Sequence, residues 1–196
     1  MSKLLVVVDM QNDFIDGALG TKEAQSIVPN VVKKLKEVSK DDDTVIIYTM
    51  DTHGDDYMNT EEGKNLPVCH CMDGSDGWDI REEVDRFSPN YYEKNTFGSV
   101  DLLDYLVDDL DVVFGSGKGY DEIELIGLCT DICVISNAII CKTAQPNAHI
   151  VVDASCCAGV TPHTHDVAIE AMKTLQIEIR NEGKEPWREV QLDKSK

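Results

Sequence analysis

The chain is poor in positive charge. Its 196 residues hold 18 Lys and Arg against 37 Asp and Glu, a formal net charge of −19. Binding a phosphate backbone needs clustered Lys and Arg, so the charge disfavours nucleic acid and no nucleic-acid partner is expected. The acidity reads as a solvated surface that aids solubility. Long apolar runs are also missing. None approaches the ~20 residues of a membrane span. The longest early run, Leu4 to Val8, stops at Asp9 with no signal-peptide anatomy around it. A cytoplasmic protein without a membrane partner is expected. Internal repeats and low-complexity linkers are absent, so residues 1–196 are expected to form one domain.

Cysteine pairing is lacking too. Seven is an odd number, the chain is not small, and nothing directs it to an oxidising compartment. There is no CxxC…CxxC pair for a zinc ribbon. Most of the cysteines are expected to act as small buried hydrophobes.

What is present is an alternation of short β-rich runs and helix-period runs. Residues 3–9 (KLLVVVD) read as a buried parallel strand ending in a carboxylate. Pro29 is expected to open a helix to about residue 40, with Val31, Val32, Leu35 and Val38 on one face. Residues 44–51 (TVIIYTMD) form a second strand, again ending in an acid. Residues 52–90 have weak periodicity and several Gly and Pro, and a loop this long is more often functional than idle. A short strand is expected at 91–94, then a helix capped by Ser99 to about residue 110. Strands at 122–128, 149–153 and 177–179 alternate with helices at 131–145 and from Thr161-Pro162 to about residue 175. GSGKG at 115–119 has the glycines and lysine of a phosphate loop but not its spacing or trailing Ser or Thr, and is read as a turn. The polar tail from residue 181 is expected to be partly mobile.

This alternation predicts an α/β fold with a mainly parallel central sheet and helices on both faces. Such sheets bind ligands beyond the carboxyl ends of their strands. Asp9, Asp51 and the 129–133 turn all fall there. Cys133, in the first helical turn after a buried strand, sits where backbone N–H groups and the helix dipole favour a thiolate. Asp9, after an apolar run, is a general-base candidate whose pKa burial should raise. Lys94 is the candidate cation: an ammonium near Asp9 and Cys133 would hold the carboxylate charged and favour the thiolate. Asp51, His53 and His70 offer two imidazoles and a carboxylate, a set that suits zinc, iron or manganese. Taken singly, each residue has a plainer reading. Cys133 can be a packed core cysteine, Asp9 a cap or ion-pair partner, Lys94 a surface charge, and the histidines a surface pair. His163 and His165 are read as surface or capping residues without a role.

Together these segments resemble the isochorismatase-like cysteine hydrolase family, nicotinamidase/pyrazinamidase branch. The resemblance spans residues 3–179 and rests on VVVDMQNDF at 6–14, DTH at 51–53, HC at 70–71, EKNTFGS at 93–99 and GLCTDICV at 127–134. It implies a catalytic triad of Asp9, Lys94 and Cys133. It implies a non-proline cis peptide at Leu128–Cys129 and an oxyanion hole from the N–H groups of Cys129 and Cys133. Phe14 and Leu128 are implied as substrate contacts, and Asp51, His53 and His70 as ligands of a divalent metal, zinc first with iron or manganese as alternatives. The implied substrate is a small carboxamide, nicotinamide first, or else another amide, a carbamoyl compound or a vinyl ether. The family also implies a homo-oligomer. Two departures stand out. The ring-stacking Trp that many nicotinamidases carry before the third metal ligand is replaced by Asn65-Leu66-Pro67-Val68-Cys69. The extra His some members have after the DxH motif is missing, and only Tyr57 stands there. Trp78 is a candidate for the stacking role.

Overall fold

Lys3–Val8 forms β1, whose apolar residues are buried on both faces as a central parallel strand requires. Asn12–Ile15 (α1), Lys22–Val38 (α2), Thr44–Asp51 (β2), Glu61–Asn65 (α3), Glu82–Asp85 (α4) and Tyr91–Lys94 (β3) follow. The second half runs Val100–Phe114 (α5), Glu122–Leu128 (β4), Ile135–Ala144 (α6), His149–Ala158 (β5), Pro162–Thr174 (α7) and Glu178–Arg180 (β6). The structure is a computed structural model that describes residues 2–88, 90–114 and 119–188. Residues 115–118 of the expected turn lie outside the described residues.

All six strands pair in parallel, in the order β3-β2-β1-β4-β5-β6. The order reverses between β1 and β4, and a crevice opens at such a switch point beyond the strand ends. Alternate residues of β1 face opposite layers. Leu4, Val6 and Val8 pack with Leu102 and Leu106 of α5 and Ile169 and Met172 of α7. Leu5 and Val7 pack with Ile27, Val31 and Leu35 of α2. Each such fully buried aliphatic side chain contributes roughly 1.5–3 kcal/mol. This is the expected three-layer α/β arrangement. Among the described residues, no helix is long and apolar enough to cross a membrane.

Several boundaries differ from expectation. The first long helix starts at Lys22 and carries Pro29 in its interior. Thr21 caps it by accepting from Ala24 N–H, and Ala24, Ile27, Val31 and Leu35 make one buried stripe. That stripe offsets the ~3 kcal/mol an interior proline costs. β5 continues to Ala158 through a register irregularity opposite Leu125–Gly127. The segment after residue 181 is not loose through Arg188: Glu185 and Trp187 are buried.

Gly127 is the glycine the site depends on. It has φ 118, and a Cβ there would lie 2.1 Å from the Val8 carbonyl oxygen. Only glycine lets β4 pass β1 this closely just before the Cys129 turn.

Candidate active site

Asp9 leaves the end of β1 with φ 45, a left-handed conformation that Asp tolerates better than most residues. Its N–H donates to Thr49 O, and its Oδ1 accepts from the Thr49 hydroxyl at 2.6 Å. Lys94, the last residue of β3, reaches across β2 toward it. The Lys94 Nζ lies 2.7 Å from Asp9 Oδ2, 3.3 Å from Asp51 Oδ1 and 3.6 Å from Cys133 Sγ. Asp9, Lys94 and Cys133 are all buried. The three candidates, far apart in the sequence, meet at the Lys94 ammonium group.

Cys133 stands in a π-type turn, Thr130–Val134, ahead of α6. Val134 N–H and Ile132 N–H both donate to Cys129 O. π-turns of this kind recur at functional sites. The Leu128–Cys129 peptide bond is cis, as the resemblance implied. Asn137 holds the far side of the turn, donating to Cys133 O at 2.8 Å and accepting from Ser99 N–H. Ser99 also caps α5 by accepting from Leu102 N–H.

The electrostatics differ in one respect from the sequence expectation. Burial pushes the Asp9 carboxyl up, Lys94 pulls it back, and the net direction is up. Burial also pushes the Cys133 thiol well above its ordinary value, and the Asp9 charge adds to that. Desolvation thus outweighs the helix-end N–H groups and favours the thiol over a preformed thiolate. Burial opposes the Lys94 charge, but Asp9, Cys133 and Asp51 outweigh it and keep the lysine protonated.

The second cluster shares Asp51 with the first. Asp51 Oδ1 faces Lys94, while Oδ2 lies 2.9 Å from His53 Nε2 and 3.4 Å from His70 Nε2. Burial raises the Asp51 carboxyl, but His53, His70 and Lys94 hold it below the ordinary range. Glu62 Oε1 completes the group, 3.8 Å from His53 Nε2 and 3.7 Å from His70 Nε2. The four ligand atoms lie within 4.8 Å of one another. The His70 Nδ1–H donates to Val68 O at 2.8 Å, which turns the Nε2 lone pair inward. Two imidazole nitrogens and two carboxylates aimed at one point fit a divalent cation.

The DMQNDF segment holds this cluster together. Gln11 donates to Asp51 O and Trp78 O and accepts from Asp51 N–H. Asp13 caps the α1 turn through Ala18 N–H and also accepts from Cys71 N–H. His53 N–H donates to Cys71 O, so the loop returns His70 beside His53.

A cavity of about 530 Å³ opens over both clusters. Asp51, Glu62, His70, Cys129 and Cys133 line its polar end. Phe14, Leu19, Leu66, Phe97, Ile132 and Val160 form its apolar walls. Phe14 lines the cavity edge-on to His70, with ring centroids 5.5 Å apart. Leu128 does not line it. It is fully buried in the core, because a strand residue at this position points into the layer and away from the crevice. Trp78 does not take the stacking place either. Its Nε1–H donates to Thr52 Oγ1, and it lines a separate open groove of about 830 Å³ with Arg81 and Tyr91. Glu62 escaped the sequence reading because only the fold of α3 brings it in. His165, read as a surface residue, is fully buried, whereas His163 is exposed as expected. All seven cysteines are free.

The Isochorismatase domain family model matches residues 3–181. The chain belongs to the isochorismatase family. A nicotinamidase/pyrazinamidase of Mycobacterium tuberculosis is 27% identical over 194 residues, covering 90% of this chain and 97% of that protein. An Arabidopsis thaliana protein described as a probable inactive nicotinamidase is 28% identical over 193 residues, covering 88% of this chain and 89% of its own. The crystal structure of a Pyrococcus horikoshii pyrazinamidase in complex with zinc shares the fold, with a TM-score of 0.73 at 23% identity over 91% of this chain and 98% of that one.

Proposed function

We propose that this family member is an amidohydrolase that cleaves a small aromatic carboxamide, nicotinamide first, to the acid and ammonia through a thioester on Cys133. The observation that carries the reading is the meeting of Asp9, Lys94 and Cys133 around one buried ammonium, with Cys133 opening on a mainly apolar cavity. The nicotinamidase relative supports the substrate class. An idle binding domain has no physical need to bury a carboxylate, an ammonium and a thiol together.

Asp9 takes the Cys133 proton as the sulfur attacks the amide carbon, while Lys94 balances the negative charge that moves from carboxylate to sulfur. The backbone N–H groups of Cys129 and Cys133 receive the developing oxyanion, an interaction typically worth about 10²–10³ in rate. Asp9 returns its proton to the nitrogen as the C–N bond breaks, and ammonia leaves. Asp9 then accepts a proton from water as water attacks the thioester. The C–S bond breaks, the acid departs and the proton returns to sulfur. Asp51, His53, Glu62 and His70 would hold a divalent metal, zinc first, which supplies a Lewis-acidic position for a ring nitrogen or a water and so orients the substrate. The same reading carries a cytoplasmic one-domain enzyme that assembles with copies of itself, which light scattering of the purified chain checks.

A second substrate class has one specific observation behind it. Leu66, not a tryptophan, lines the cavity near His70, which favours an acyl group without a flat ring to stack, such as a carbamoyl compound. Ammonia release from nicotinamide and from carbamoyl amides separates the two. Cys133→Ala is expected to cut turnover by at least ~10³-fold with metal content unchanged. Residual turnover well above that contradicts the covalent step.

A further inference from the structure

Beneath the Cys129–Cys133 turn lies a buried polar chain that the reaction above does not use. The Thr130 hydroxyl and His165 Nδ1 are 2.8 Å apart. His165 Nε2 lies 3.4 Å from Glu185 Oε1. All three residues are at most 1% exposed. A carboxylate only accepts, so Nε2 carries a proton that it donates to Glu185, and the Thr130 hydroxyl is the partner of Nδ1. Glu185 is fixed in turn by Gly183 N–H and Arg188, and Arg188 also pairs with Asp166 of α7. Trp187 lies edge-on to His165 at 5.1 Å, and the Arg188 guanidinium covers its ring.

We infer that Glu185, His165 and Thr130 are positioning residues for the reaction, a hydrogen-bonded strut by which the segment 183–188 holds the nucleophile turn in register. Thr130 lies between Cys129 and Cys133, whose N–H groups are the proposed oxyanion donors. A turn offering two donors and a nucleophile must be held to within about 0.5 Å, and locked neighbouring side chains do this. Other contacts hold the turn from other sides: Asp131 accepts from Val160 N–H, Asn137 donates to Cys133 O, the Ser136 hydroxyl donates to Ile132 O, and Lys94 reaches Cys133 Sγ. Asp131 sits at the exposed rim and Asn137 grips the helical side. The Thr130 strut is the contact that reaches the turn from below. It ends on a carboxylate delivered by a segment that reads in the sequence as a polar, partly mobile tail.

The proposal rests on the amide-hydrolase reading, so its test carries a readout that needs no substrate. Thr130→Val keeps the shape and removes the hydroxyl, and Thr130→Ser restores it. His165→Leu removes both contacts, and His165→Asn keeps a polar atom near the Nδ1 place. Steady-state hydrolysis of nicotinamide is measured on the full-length, metal-loaded proteins, with peptide-resolved iodoacetamide alkylation of Cys133 on the same samples. In Thr130→Val and His165→Leu, kcat is expected to fall at least ~10-fold with KM within about twofold, and Cys133 alkylation to slow about threefold or more. Thr130→Ser and His165→Asn should recover most of both. Folded Thr130→Val with unchanged kcat and alkylation overturns the proposal. So does a Thr130→Ser variant as impaired as Thr130→Val, which would mean packing and not the hydroxyl. If the wild type does not cleave nicotinamide, the substrate reading fails, and the alkylation series decides the strut by the same two criteria.

Discussion

The two clusters that share Asp51 reach the cavity by different routes. Asp9 and Lys94 stand at the ends of β1 and β3, and Cys133 follows β4, so the strand ladder itself sets their spacing. Of the four candidate metal ligands, only Asp51 belongs to a strand. His53, Glu62 and His70 come from the stretch between β2 and α4, Glu62 on the short helix α3, drawn together by single contacts such as Cys71 N–H to Asp13. The proposed triad is held by the framework, and the ligand set is assembled on it. Damage to the first should therefore cost fold and chemistry together, while damage to the second should leave the fold and the nucleophile standing.

The sharpest way to break the first cluster is Lys94→Met. It strands Asp9 and Asp51 without their buried cation, which typically costs about 3–5 kcal/mol. Denaturant unfolding should show that loss, and turnover should fall at least ~100-fold. A stable, active variant would mean the ammonium is incidental.

Acid probes the support beneath the turn. Burial alone would raise Glu185, but hydrogen bonds from His165 and Arg188 hold it down at about 2. Its folded value lies below its unfolded one, so its contribution is whole above about pH 5 and fades as pH falls toward 2. The loss is at most about 3 kcal/mol. Glu185→Gln should flatten that part of the stability curve between about pH 5 and pH 3. An unchanged acid slope would remove Glu185 from the account.

The assembled cluster is tested by Glu62→Gln. Metal affinity is expected to drop about 10–100-fold, read by elemental analysis after dialysis against a competing chelator. Unfolding midpoint and Cys133 alkylation should stay near wild type. Parallel loss of fold would erase the distinction between the two clusters. The smallest effect is expected from Leu66→Trp, which restores an aromatic wall near His70. For a pyridine carboxamide KM should fall by a few-fold, about 1 kcal/mol. No change, with better cleavage of other amides in the wild type, would favour the carbamoyl class.

The same division explains what could be read in advance. Residues 44–51, 91–94 and 122–128 match their strands because a run buried in a parallel sheet must be apolar and must end at the crevice. Asp9, Lys94 and Cys133 inherit their places from those ends. Glu62 was invisible because no periodicity specifies where a loop between two strands folds back. His165 was misread for a related reason: beside Thr161 and Pro162 it looks like part of a helix start, and only the return of residues 183–188 over α7 buries it. Pro29 misled by its preference for first turns, where Thr21 and the stripe from Ala24 to Leu35 were the stronger signal. The Leu128 side chain lies in the core and not on the cavity wall, because a family contact does not say which way a strand residue faces.

The most direct test of the central claim is to quench the enzyme in acid during turnover of nicotinamide and map the mass of its peptides. The account predicts one acyl group on the peptide containing Cys133, absent from Cys133→Ala and from protein without substrate. Full turnover with no acyl group on Cys133, or turnover retained in Cys133→Ala, would contradict it.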